Sequence, residues 1–193
     1  VYAVTKPDTI DQFNNLTTYG TVSIIYKKPF LMTAISPKPF LKGQPFTVNG
    51  YAEGNPPAVQ LWILGNNFFS LITVPVDNEA NYTFTADAPF SEKLMAGDYY
   101  LIAEHPMADN RFDFTFNGES VIAMQDNNST VLFKVRGPGS LQGKDAADAL
   151  VFALSENEHR NETYARDTHA IVAFTVSETN SSQRAQPVAT VRV

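Results

Sequence analysis

Cysteine is absent from the 193 residues. That absence removes disulfides, thiol nucleophiles and thiolate metal sites, so any core must hold by packing alone. It does not choose between cytosol and exterior. Basic residues are scarce, with 14 Lys and Arg against 20 Asp and Glu and a net charge of −6. Without a basic face to neutralise phosphates, nucleic acid is disfavoured as a partner, and anionic membrane surfaces with it. No apolar run approaches the roughly 20 residues of a spanning helix. The opening Val1-Tyr2-Ala3-Val4-Thr5 has neither the charged nor the apolar part of a secretory leader, so if the protein is exported or anchored, those signals are expected to have been removed. Catalytic signatures are missing as well. His105, His159 and His169 fit no HExxH or His-X-His spacing, and there is no Gly-X-Ser-X-Gly elbow or phosphate-cradling glycine loop.

What is present is a chain with 44% apolar and 18% charged residues, enough to bury a proper core in one domain with extensions. Its one tryptophan, Trp62, lies in the short apolar run Ala58-Val-Gln-Leu-Trp-Ile-Leu-Gly65, closed by Asn66-Asn67. Length, β-branching and the closing turn make this a buried strand, with Trp62 expected to plug a two-sheet core. Short strands surround it: Phe30–Ser36, Phe46 and Val48 alternating with Thr47 and Asn49, Phe68–Val76, and Asn81–Ala86 with Tyr82 and Phe84 on one face. Turn signals every ten or so residues indicate a sandwich running from about residue 30 to residue 136. Phe112, Phe114 and Phe116, then Val121–Met124 and Val131–Val135, supply its last strands. Gly97-Asp98-Tyr99 resembles the tyrosine corner of immunoglobulin-like domains, a packing device without chemistry.

Three segments fall outside that pattern. Residues 1–30 read as a strand-bearing arm in which Thr21, Val22, Ile24, Ile25 and Tyr26 alternate. It either folds back as an edge strand or pairs with a neighbouring subunit. After the breakers of Gly137–Gly143, residues 144–156 form the one convincing helix. Ala147, Leu150, Val151 and Leu154 share a face, and Asp145 and Asp148 suit the positive end of its dipole. Both faces of the Trp62 strand are apolar, so this helix is expected to cover the side that a simple sandwich leaves wet. Thr168–Val176 returns as a strand, and residues 177–193 read as a linker or terminal strand.

Gly43-Gln-Pro-Phe-Thr-Val-Asn-Gly50, Leu61-Trp-Ile-Leu-Gly-Asn-Asn67, Gly97-Asp-Tyr99, His105-Pro-Met107 and Gly139-Ser-Leu-Gln-Gly143 resemble an immunoglobulin-like domain of exported surface proteins of methanogenic archaea, over roughly residues 31–176. The resemblance implies a cell-envelope location, in a surface layer, sheath or appendage, and no established catalytic residues. The fold class expected is therefore mainly β, an immunoglobulin-like sandwich with one helix on a sheet. The Thr-rich stalk and membrane anchor of the full architecture are not in this sequence.

Six Asn-X-Ser/Thr sequons, at Asn15, Asn81, Asn127, Asn128, Asn161 and Asn180, occur where chance placement of 28 serines and threonines would give about two. They suggest an extracellular protein carrying N-linked glycans, although Asn, Ser and Thr also crowd into turns. Glu104, His105, Asp109 and Asp113 gather near one strand end. The oxygens of Glu104, Asp109 and Asp113 are the candidate ligands for a hard cation such as calcium, set against a solvated acidic loop, and no other cofactor is indicated. Three functions follow. The preferred one is a structural surface glycoprotein that assembles with copies of itself or other envelope proteins, by strand exchange through the arm. The second is an adhesion or carbohydrate-binding module with Phe68, Phe69, Tyr99 or Tyr100 as platform. A metal-dependent hydrolase at the Glu104–Asp113 loop is the third.

Overall fold

A computed structural model describes Tyr2–Ala3, Gly20–Thr21 and residues 29–125, 128–155 and 167–178. In chain order the strands are β1 (Tyr2–Ala3), β2 (Gly20–Thr21), β3 (Leu31–Ser36), β4 (Phe40–Leu41), β5 (Phe46–Ala52), β6 (Ala58–Gly65), β7 (Phe68–Pro75) and β8 (Asn81–Ala86). A short helix α1 (Ala88–Ser91) precedes β9 (Gly97–His105) and a 3-10 turn at Met107–Asp109. Then come β10 (Phe114–Phe116), β11 (Ser120–Gln125), β12 (Asn128–Lys134), the helix α2 (Gly143–Ser155) and β13 (Thr168–Ser177).

Four sheets result. The largest runs β4-β13-β9-β6-β7, antiparallel except where β4 lies parallel to β13. A second, β3-β5-β8, faces it. Between them lies one apolar core, built from Phe46, Val48 and Tyr82 on one side and Val59, Leu61, Ile63, Tyr99, Leu101 and Phe174 on the other. The third sheet, β10-β11-β12, and α2 cover the opposite face of the large sheet. The fourth is the two-residue pairing of β1 with β2, Tyr2 against Thr21 and Ala3 against Gly20.

Because side chains alternate along a strand, β6 serves both cores. Val59, Leu61 and Ile63 enter the sandwich, whereas Trp62 and Leu64 pack with Ile102, Ala146, Ala147, Leu150 and Leu154 under α2. The expected cover by the helix is present. Trp62 is fully buried between two sheets as expected, but the covering layer is the β10-β11-β12 sheet with α2 and not β3-β5-β8. The strands around Val121 and Val131 likewise form the separate third sheet instead of extending the sandwich.

Two tyrosines lock the sandwich through glycine. Gly65 lies opposite Tyr99 and Gly50 opposite Tyr82, and a Cβ at either glycine would fall within 2.3 Å of the facing ring. Space left by the missing side chain thus seats the ring. The Tyr99 hydroxyl donates to the Met95 carbonyl at 3.0 Å and the Tyr82 hydroxyl to the Met32 carbonyl at 2.9 Å. Burial pushes the Tyr82 phenol up to about 12 and raises that of Tyr99. Helix α1, which the sequence pattern does not announce, is a single turn capped by Asp87, whose Oδ1 accepts from the Phe90 amide at 2.9 Å.

Candidate functional site

Two places carry polar groups that packing alone does not require. The first is at the end of β9. Glu104 shares its face with Ile102, so its carboxyl points under the second core, opposite Gln60 of β6 and His169 of β13. It is fully buried. Its Oε2 accepts from Trp62 Nε1 at 2.6 Å. Asp167, immediately before β13 and 2% exposed, accepts the Asp113 amide on Oδ2 at 3.0 Å.

The remaining oxygens, Glu104 Oε1 and Asp167 Oδ1, find no donor, and Gln60 Oε1 nearby is also unpaired. Acceptors without donors are costly in a dry interior. The two carboxyls interact directly, and a proton on one turns an acceptor into the donor that the other lacks. Burial first, then the hydrogen bond and charge of Asp167, hold Glu104 well above the usual carboxyl range, while the Trp62 contact acts the other way. Burial also lifts Asp167 to about 7; its bonds to Glu104 and the Asp113 amide lower it, and the charges of Asp113 and Asp109 raise it. The two carboxyls therefore titrate as a pair, and a proton held between them supplies the donor that their free oxygens lack.

Of the residues read together from sequence, Asp113 stays within electrostatic reach of Glu104, and Asp109 and Asp113 within reach of Asp167, while His105 turns away. His105 follows Glu104 along the strand and turns to the other face, where Nδ1 accepts from the Met107 amide and Nε2 donates to the Glu53 carbonyl, both at 2.9 Å. Asp109 is exposed, with Oδ1 taking the Arg111 amide, and Asp113 is half-buried. Among the described residues no group of three or more His, Cys, Asp or Glu side chains is placed to hold a metal ion. The partner of Glu104 is Asp167, a residue distant in sequence. The one available signal was Gln60, a polar residue in an otherwise apolar strand, which marks a polar row crossing the sheet.

The second place is a pocket of about 300 Å3 lined by Asn67, Phe68, Phe69, Val135, Arg136, Gly137 and Gln142. The β6–β7 turn supplies Asn67, in a left-handed conformation at φ 55°. The Asn67 amide donates to Gln142 Oε1, and Gln142 Nε2 donates to Ser140 Oγ at 2.9 Å, which fixes the floor beside the start of α2. The Arg136 guanidinium lies 5.0 Å from the Phe116 ring centre and 5.8 Å from that of Phe69. Of the four aromatics proposed as a platform, Phe69 presents its ring beside Arg136, whereas Phe68 lines the pocket from the strand but packs its ring on Phe90 and Tyr99 in the sandwich core. Tyr99 is buried in the sandwich core, and Tyr100 packs toward α2.

Asn81 is exposed at the start of β8, and Asn128 opens β12. Asn15, Asn127, Asn161 and Asn180 lie outside the described residues, as do Val22, Ile24, Ile25 and Tyr26 of the arm, whereas Thr21 is in β2. Among the described residues no helix is long and apolar enough to cross a membrane. In comparisons with known proteins, no family model matches the chain, and no curated protein sequence matches it.

Proposed function

We propose that this chain is a structural glycoprotein domain of the cell envelope, assembling with copies of itself or other envelope proteins into a surface layer, sheath or extracellular filament. The observation that carries this reading is the pair of open sheet edges bordered by exposed apolar side chains. Among the described residues strand β3 has one neighbour, β5, and it carries Met32 and follows Phe30, which are 52% and 54% exposed. Among the same residues strand β12 is paired with β11 alone and exposes Val131 and Leu132. An unpaired edge offers backbone donors and acceptors to another chain. The alternating arm that leads into β3 is a natural strand to exchange.

Strand order supports an immunoglobulin-like reading of the sandwich. Strands β3, β5 and β8 take the places of A, B and E, while β13, β9, β6 and β7 take those of G, F, C and C′. The third sheet and α2 are then one insertion between F and G. The exposed sequon at Asn81 suits a glycosylated outer face. The fully buried Glu104 favours a structural carboxyl over a catalytic one, since no substrate reaches it. Electron microscopy of the purified native protein, arm intact, tests the proposal: ordered sheets, rings or filaments are expected, and strictly monomeric particles at every concentration would overturn it.

The pocket beside Phe69 favours a second reading, an adhesion module that binds a carbohydrate. Amide groups and partly exposed rings around a small cavity are the lining such ligands use.

A further inference from the structure

We infer that the Arg136 pocket binds an acidic sugar, with its carboxylate on the Arg136 guanidinium and its ring against Phe69. The inference rests on the second reading above, that the domain binds saccharides, and names the ligand class.

Arg136 is exposed, and among the described residues no carboxylate pairs with it. Glu119, whose backbone carbonyl accepts the Arg136 amide, has its carboxylate held by Lys134 Nζ at 2.6 Å. Stacking on Phe116 and Phe69 orders the guanidinium plane while leaving its N–H edges free, so little side-chain entropy remains to be lost when a carboxylate arrives. The fork of two parallel N–H groups matches the two oxygens of a carboxylate.

Size and lining narrow the ligand further. At about 300 Å3 the cavity sits at the small end of ligand pockets, suited to one ring. The Asn67 side chain offers both a donor and an acceptor to hydroxyl groups. Phe69 is half-buried, leaving apolar surface for the C–H face of a sugar.

Titration of the full, isotope-labelled chain with glucuronate, glucose, acetate and inorganic phosphate, followed by amide NMR, tests the inference. Glucuronate is expected to shift the amides of Asn67 and Gly137, with glucose, acetate and phosphate each at least tenfold weaker. Arg136→Gln should weaken glucuronate at least tenfold with the rest of the spectrum unchanged. Arg136→Lys, which keeps the charge but loses the fork, should fall between. If acetate or phosphate binds as well as glucuronate, the pocket is a plain anion spot and the inference fails. Glucose binding equally, with no effect of Arg136→Gln, would overturn the acidic-sugar assignment and leave saccharide binding standing. No shift with any of the four would remove both.

Discussion

Glu104 and Asp167 place two buried carboxyls side by side, with Trp62 Nε1 and the Asp113 amide among their donors. Their folded pKa values lie above the ordinary values of 4.5 and 3.8, so the folded chain holds protons that the unfolded chain has released. The contribution to stability is complete below about pH 4. It declines as pH rises toward 7, by up to roughly 1.4 kcal/mol per pH unit for each group. Urea midpoints read by the fluorescence of Trp62 should therefore be higher near pH 5 than near pH 8, and Asp167→Asn should flatten the difference. A midpoint that climbs with pH in the parent protein would contradict the shared proton. Trp62→Phe removes both the donor to Glu104 and part of a filled core. A loss of about 2–4 kcal/mol is expected from calorimetry or circular dichroism, against well under 1 kcal/mol if the Trp62 ring were packed loosely.

At the scale of elements, the glycine–tyrosine pairs are the most exacting feature. Gly65→Ala would drive a methyl group into the Tyr99 ring and should cost roughly 1–3 kcal/mol by thermal unfolding. The same change at Gly54, where a Cβ would meet nothing, is governed only by its positive φ of 92°. If Gly65→Ala matched the parent in stability, Tyr99 would not be seated as described. Much of the element order was legible from sequence. The strands at Ala58–Gly65 and Asn81–Ala86 and the helix at Gly143–Ser155 were marked by turn residues at their ends and clear periodicity within. The layer facing Trp62 was not. A strand that is apolar on both faces says that each face is covered and is silent on which cover meets which face. Asp167 escaped for a different reason, because its carboxyl meets Glu104 only through the antiparallel register of β13 on β9, a long-range pairing that local pattern cannot encode. Helix α1 has four residues, too few for a period to show.

For the whole molecule, two cores on either side of one five-stranded sheet make a rigid slab without disulfides. The β4 edge of that sheet is only two residues long, a short and poor template, whereas β3 and β12 are longer and carry exposed apolar neighbours. Interaction through those edges is the central claim, and a lysine there should block it, because inserting a second strand would bring the charge against another chain. Sedimentation velocity of the full chain over a range of concentrations, parent beside Met32→Lys and Val131→Lys, measures this most directly. The parent is expected to form larger species as concentration rises, with at least one lysine variant remaining monomeric and fully folded. A parent protein that sediments as a single monomer throughout, indistinguishable from both variants, would contradict the account.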